Sequence, residues 1–401
     1  MTTRWLEHAQ EHSDIEGFRL IGHSDLGGHG DGFQVIRRDE LLYVAHLGTS
    51  PMALSVLDVS DPADPRLLHQ IEHPRNTRCH KVQVAGNLLI QNNELPYWAK
   101  GADPAPITGL TVYTLDDPTQ PRPVGFHPAS GVGTHRLWFS EPPLAHISSV
   151  LPGGSVQSYE IVDLSDPMNP ASVGSWSVPG TFPDDVDTWT RAEDQPQDGV
   201  HGVIPHGDRA YAACFDAGMA VLDISDPSTP QLISHISWSP PFGGFAHTTL
   251  PLPARGLVVA SSEAVPRTLQ GGDKRIWLID VTQETHPVTF ATFPDPRPPA
   301  RHGVSSYHDL PGVFGPHNLH ENRPGSYISE ETIFATYSNA GLRVFDISDK
   351  YAPREKGYFV PPPAEGQEWS AMNDLYVDAE GIVFVTDRLG GGLYILQYVG
   401  R

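Results

Sequence analysis

The sequence predicts an all-β, seven-bladed β-propeller closed by an N-terminal strand that completes the last blade. Three observations carry this. A motif recurs along the chain: LSVLDVSDPADP (54–65), LTVYTLDDPTQP (110–121), YEIVDLSDPMNP (159–170), MAVLDISDPSTP (219–230), IWLIDVTQETHP (276–287) and LRVFDISDKYAP (342–353). Each copy sits among short apolar/polar alternating segments parted by turn formers, about four strands to a unit, which is how a propeller blade reads in sequence. The two ends are complementary. Residues 17–24, GFRLIGHS, look like the strand that follows each repeated turn, yet no motif precedes them, while 369–398 supply three strands and stop. Pairing the two ends gives seven blades and leaves no unpaired edge at the joint.

Within a blade the strands run A to D. In the fourth, GVHGVIPH (199–206) is A, AYAACF (210–215) is B, MAVLDIS (219–225) is C and QLISHISW (231–238) is D. The Asp-Pro pairs at 61–62, 117–118, 166–167 and 226–227 follow strand C. Asp accepts a hydrogen bond from its own turn and Pro presets φ, so the motif is structural. Residues 1–16 read as a polar extension with one or two helical turns, and 17–401 as a single propeller domain. Three inserts break the repeat, 95–109, 179–199 and 294–316. Long loops in a compact repeat are usually functional, and these are expected on one face of the disc.

The 38 glycines and 39 prolines suit many tight turns. A net charge of −22 disfavours nucleic acid and anionic membrane as partners. Cys79 and Cys214 lie in different repeats and imply no disulfide framework. The polar N-terminus and the lack of a long apolar run point to a cytoplasmic protein with a small-molecule substrate. Oligomeric state is left open.

The chemistry-bearing residues stand where strand A begins: His80, His135, His201, His247 and His317, with Asn373 at that place in blade 7 and Asp31 in blade 1. Strand A lines the central channel, so these side chains form a ring at one level. Imidazole is the commonest ligand of Fe, Cu and Zn. Strand B ends on the same face, in His46, Glu94, Asp216, Glu263, Asn339 and Asp387. Glu94, Asp216, Glu263, Asn373 and Asp31 are expected to surround the ring and orient it, as carboxylates orient ligating histidines. Glu321 and His320, deeper along strand A of blade 6, are the candidates to move protons. Tyr97, Trp98 and Trp189 in the inserts are candidates for a substrate wall, and Arg388 for pairing with an anionic substrate or with Asp387. No GxSxG, HExxH or phosphate-cradling glycine loop occurs.

The LxVxDxSDP core resembles the LVIVD-repeat propellers, over about residues 17–398. The strand-A histidines are similar in placement to those of two metal propellers, the carotenoid-cleavage-type dioxygenases, with iron on axial histidines backed by glutamates, and the selenium-binding-type methanethiol oxidases, linked to copper. That resemblance implies metal binding at His80, His201, His247 and His317 with Glu94 and Glu263 behind; His135 is an addition. The expectation is a metal-dependent oxygenase or other oxidoreductase, with Fe(II) favoured and Cu, Mn or Zn as alternatives. A metal-assisted lyase, isomerase or hydrolase on the same site is the second reading, and a non-catalytic binding scaffold the third.

Overall fold

The structure, a computed structural model, describes residues 2–186, 188–189, 199–264 and 273–400. Among them the strands form seven four-stranded antiparallel sheets. In blade 4 the order is Gly202–His206, Arg209–Ala213, Met219–Asp223, Gln231–Ile236, matching the sequence reading. Strand Phe18–Ser24 pairs with Gly392–Tyr398 and so completes blade 7, as expected from the two incomplete ends.

The repeated motif is explained by its turn. In LDVSDP, Asp58 Oδ1 accepts from the Ser60 N–H at 2.9 Å and Asp61 Oδ1 from the Ala63 N–H at 2.9 Å. The same pairs recur at Asp163 and Asp166, and at Asp223 and Asp226. These are successive side-chain-capped turns. The turn also locks blades together. A Cβ on Gly174, in strand D of blade 3, would lie 2.2 Å from the Pro227 carbonyl oxygen of blade 4, and one on Gly125 would lie 1.9 Å from that of Pro167. Only glycine admits that approach. Blade 7 ends without such a turn, and at Gly357 of blade 6 the neighbour is instead the Glu16 carbonyl, 2.5 Å from a Cβ.

The N-terminal segment thus does more than the sequence suggested. Thr2–His12 is an 11-residue helix, about three turns where one or two were expected. Its Ala9 is buried with Phe18, Leu20 and Tyr394. Asp14–Glu16 then pairs with Arg354–Val360 as an outer strand on blade 6. Asp14 accepts from His302 Nε2 at 2.6 Å and pairs with Arg301, so the 294–316 insert clamps this segment. Of the 179–199 insert, residues 187 and 190–198 lie outside the described residues.

The core runs between blades. One buried cluster joins Leu42, Val44 and Leu57 of blade 1 to Val82 and Leu89 of blade 2 and to Phe384 and Ile395 of blade 7. Each such side chain contributes about 1.5–3 kcal/mol on burial. No helix among the described residues is long and apolar enough to cross a membrane.

Candidate metal centre

The strand-A histidines are brought together as the repeat predicts. Neighbouring ring centroids are 5.1 Å apart for His80 and His135, 4.9 Å for His135 and His201, 4.1 Å for His201 and His247, and 4.4 Å for His247 and His317. Phe33 closes the circle, 4.9 Å from His80 and 6.3 Å from His317. The register shifts along strand A between Thr134 and Leu137 and between Ala246 and Thr248, so His135 and His247 sit at bulges, a device that re-aims a side chain.

Most of these rings are anchored through Nδ1. His135 Nδ1 donates to Glu94 Oε1 at 2.9 Å and His201 Nδ1 to the His247 carbonyl at 2.9 Å, and His317 Nδ1 lies 2.6 Å from the Asn373 carbonyl. His247 Nδ1 meets the Thr248 hydroxyl at 2.8 Å. A neutral imidazole that donates from Nδ1 carries its lone pair on Nε2. The His135 and His201 Nε2 atoms therefore oppose lone pairs at 3.1 Å. His317 Nε2 pairs with Glu263 Oε1 at 3.3 Å, an attractive contact when the ring proton sits there. The Asn318 Nδ2 donor 3.0 Å from His317 Nδ1 favours that placement, and His247 Nε2 lies 3.9 Å from Glu263 Oε2. The two facing Nε2 atoms of His135 and His201 need either a proton or a metal ion between them. Two nitrogens held about 2.1 Å from one ion at right angles stand about 3.0 Å apart, so the spacing fits a shared ion.

His80 differs. Asn92 Oδ1 accepts from the Lys81 N–H and Asn92 Nδ2 donates to the Thr134 carbonyl, which fixes the amide. Asn92 Nδ2 then donates to His80 Nδ1 at 3.2 Å, placing the His80 proton on Nε2. That Nε2 is buried with no hydrogen-bond partner.

Burial pushes the pKa of His80, His201 and His247 well below the usual imidazole value, and that of His317 down as well. Neutral imidazole is the form that ligates. Burial works against the Glu263 carboxylate, but His317, Arg388 and Lys81 pull it down to about 2. Burial also opposes Glu94, which Arg78 and His135 bring to about 2.

His80, Glu94 and His135 form one compact group, and His201, His247 and Glu263 another. In the first, Glu94 Oε2 already accepts from Arg78 Nε at 3.1 Å and from Arg78 Nη2. The guanidinium occupies the cation position there. Glu94 thus stands behind His135, whereas Glu263 faces the Nε2 atoms of His317 and His247. A cavity of about 260 Å³ opens onto the ring, lined also by Phe33, Leu47, Phe215, Phe245, Lys81 and Arg388.

Other expected residues fall elsewhere. Asp31 does not take the blade 1 position: Phe33 does, two residues on, because the register shifts between Gly32 and Val35. Asp31 instead accepts from His46 Nδ1 at 2.6 Å and from the Ser50 N–H at 3.0 Å, holding a turn of blade 1. Asn373 contributes its carbonyl to His317, while its side chain donates to the Phe33 carbonyl at 2.9 Å. Asp216 lies beside Gly244, and Phe215 occupies the cavity wall in its place. Glu321 is bound by Arg136 at 2.7 Å and by Arg323, and His320 is committed to the Tyr327 carbonyl at 2.9 Å and the Val377 N–H at 3.3 Å. Neither borders the cavity. Tyr97 and Trp98 are exposed and meet edge to face. Trp189 stacks on His235 of the outermost strand of blade 4, with centroids 3.7 Å apart. Arg388 alone of the expected substrate residues lines the cavity.

Sequence reasoning missed Lys81, Phe33, Phe215 and Phe245. Phe215 and Phe245 have φ of 46° and 68° and pack against each other with centroids 4.9 Å apart. Left-handed backbone at a bulky residue costs about 1–3 kcal/mol and clusters at functional sites. The signal for Lys81 was its place beside His80. Burial and Arg136 push its amine down to about 7.

Comparison with known proteins agrees with this architecture. The LVIVD repeat model matches residues 41–72 and 200–237, so the chain carries LVIVD repeats in blades 1 and 4. No curated protein matches the sequence. Among solved structures, the periplasmic gluconolactonase PpgL of Pseudomonas aeruginosa is similar at 13% identity and a TM-score of 0.57, covering 90% of this chain and 96% of that one. A hypothetical selenium-binding protein from Sulfolobus tokodaii is similar at 13% identity and a TM-score of 0.57, covering 88% and 83%. A functionally unknown protein from Desulfotomaculum acetoxidans DSM 771 matches at 12% identity, with a TM-score of 0.52 and coverage of 91% and 89%. At these identities the likeness is one of fold.

Proposed function

We propose that the chain is a metal-dependent enzyme whose ion is held by the compact group His201, His247 and Glu263, with His135 and His317 flanking it, and that it oxidises a small organic substrate in the manner of an oxygenase. The observation that carries this reading is the 3.1 Å approach of two Nε2 atoms whose Nδ1 partners leave both as acceptors. The donor set is rich in imidazole, which suits Fe, Cu, Ni and Zn over Mg or Ca. Bound there, Fe(II), Cu or Mn supplies redox chemistry toward dioxygen, and Zn supplies Lewis acidity.

The chain's own residues have distinct tasks in this reading. Glu94 fixes the His135 tautomer and orientation through Nδ1. Phe33, Phe215 and Phe245 wall the cavity and keep water from it. His80 holds a proton on an Nε2 that no group among the described residues accepts, and offers it into the cavity as a hydrogen-bond donor.

The second reading, a metal-assisted hydrolase or lyase, draws on the Lys81 amine and the His80 N–H, two acid–base groups beside the site. Elemental mass spectrometry on tag-free protein separates them. The expected result is about one Fe, Cu or Mn per chain, lost in a His201→Ala/His247→Ala double variant. Stoichiometric zinc moves the function to the second reading. Metal at background, with unchanged folding in the double variant, overturns both.

A further inference from the structure

One side of the cavity is a cluster of donors without acceptors. Lys81 is 1% exposed, yet its ammonium makes no hydrogen bond or ion pair among the described residues and rests 4.6 Å over the Phe33 ring. Arg388 reaches only Asn373 Oδ1, at 3.3 Å. His80 Nε2 carries a proton and has no partner. All three residues border the same cavity.

The charges around it are unevenly paired. Arg78 is cancelled by Glu94. Arg136 is cancelled by Glu321. Asp374 accepts from the Val35 N–H at 3.0 Å and acts on Lys81 only through space, as Asp387 does on Arg388. Neither cation has a carboxylate in hydrogen-bond or ion-pair contact among the described residues, and Glu263 turns toward the histidines. A buried cation without a close counter-charge is expensive. An enclosed surplus of donors in a chain of net charge −22 selects its occupant by sign.

We propose that Lys81, Arg388 and the His80 N–H together bind a carboxylate of the substrate, which makes the substrate a small organic acid. Arg388 offers a planar fork that matches a carboxylate, Lys81 a point charge, and His80 a single neutral donor. At about 260 Å³ the cavity lies just under the usual range for drug-sized ligands, so the acid is compact. Phe33, Phe215 and Phe245 offer apolar wall for its carbon skeleton. This rests on the functional reading above for the chemistry the acid undergoes, while carboxylate binding itself is measurable without an ion.

The test is calorimetric titration of chelator-treated and metal-loaded full-length protein with oxalate, pyruvate and benzoate, each against its neutral amide and against inorganic phosphate. At least one carboxylate is expected to bind the metal-free protein about tenfold or more tighter than its amide, and Lys81→Met and Arg388→Gln to weaken it about tenfold or more each. Lys81→Arg and Arg388→Lys are expected to recover part of the loss, which separates binding from misfolding. Carboxylates and amides binding alike, no carboxylate binding either form, phosphate binding most tightly, or variants matching the parent would each overturn the proposal. Carboxylate binding by a protein that takes up no metal would sustain it and sink the metal reading alone.

Discussion

The two mouths of the channel are built from the same seven blades, yet they treat polar groups in opposite ways. At the mouth where strands A begin, the Nε2 atoms of His135 and His201 face each other, and among the described residues His80 presents an unclaimed N–H and Lys81 an unpaired ammonium. At the other, the A–B turns enclose a larger space of about 540 Å³. Most charges there are paired, Arg37 with Asp378 and Arg323 with Glu321, which also holds Arg136, although Arg38 Nη1 and Arg323 Nη1 keep no hydrogen-bond partner among the described residues. Arg323 further lies 3.9 Å over the Trp138 ring. A protein satisfies its buried polar groups unless something else is to satisfy them. The carboxylate-binding and metal readings proposed above both fall at the smaller mouth, where the imidazoles gather.

Substitutions that exchange the behaviour of the two mouths give the strongest tests. The largest effect is expected from His201→Ala/His247→Ala, which should abolish metal uptake by elemental analysis while costing little stability in the metal-free protein. Glu321→Gln should do the reverse. It leaves Arg136 and Arg323 buried without their shared carboxylate, a loss of about 3–5 kcal/mol by urea denaturation, with metal stoichiometry retained. Equal effects of the two changes on metal content would erase the distinction drawn here.

An intermediate effect is expected at Glu94. Glu94→Gln keeps an acceptor for His135 but loses the charge that orients it, and should lower metal affinity about 10–100-fold in a competition titration. An unchanged affinity would place the ion away from His135.

The closed mouth also sets a pH dependence. Burial lowers His320 from 6.5 to about 4, so the unfolded chain takes up its proton first and stability falls as pH drops from 6.5 toward 4. For Glu321, burial acts to raise the pKa, but Arg323 and Arg136 outweigh it and hold the carboxyl below its ordinary 4.5. Its contribution is full above pH 4.5 and is lost as pH falls through the depressed value. Thermal melts across this range should show a shallower decline between 6.5 and 4 for His320→Asn; a parallel curve would show that the ring carries no such linkage. The smallest effect is expected at Trp98, exposed and outside the cavity: Trp98→Ala should shift stability by no more than about 0.5 kcal/mol and leave metal content alone.

Most of the fold was legible. The D-x-S-D-P turn, the glycine of strand D that receives it, and the mismatched chain ends all act through local chemistry or through the period of the repeat. The level of the histidine ring was legible for the same reason. Blade 1 was misread because its alignment assumed a regular strand, and a bulge moves Phe33 into the place assigned to Asp31. The insert aromatics were misread because distance along the chain does not report distance from the axis: Trp189 ends on the outer strand of blade 4. His320 and Glu321 looked like proton carriers by position, yet each of their polar atoms is taken, by nearby Tyr327 and Arg323 and by Val377 and Arg136, which are remote in sequence.

The sequence by itself determined seven blades, the seam that closes them and five imidazoles at one height, because repetition converts a local pattern into a ring. Only the tertiary structure decided what those imidazoles can do. Which nitrogen holds the proton depends on Glu94, Asn92 and two backbone carbonyls from neighbouring blades. Whether a carboxylate stands behind a histidine or in front of it depends on the cation beside it, Arg78 for Glu94 and none so close for Glu263. Those contacts cross between blades, where a repeat carries no record of its neighbour.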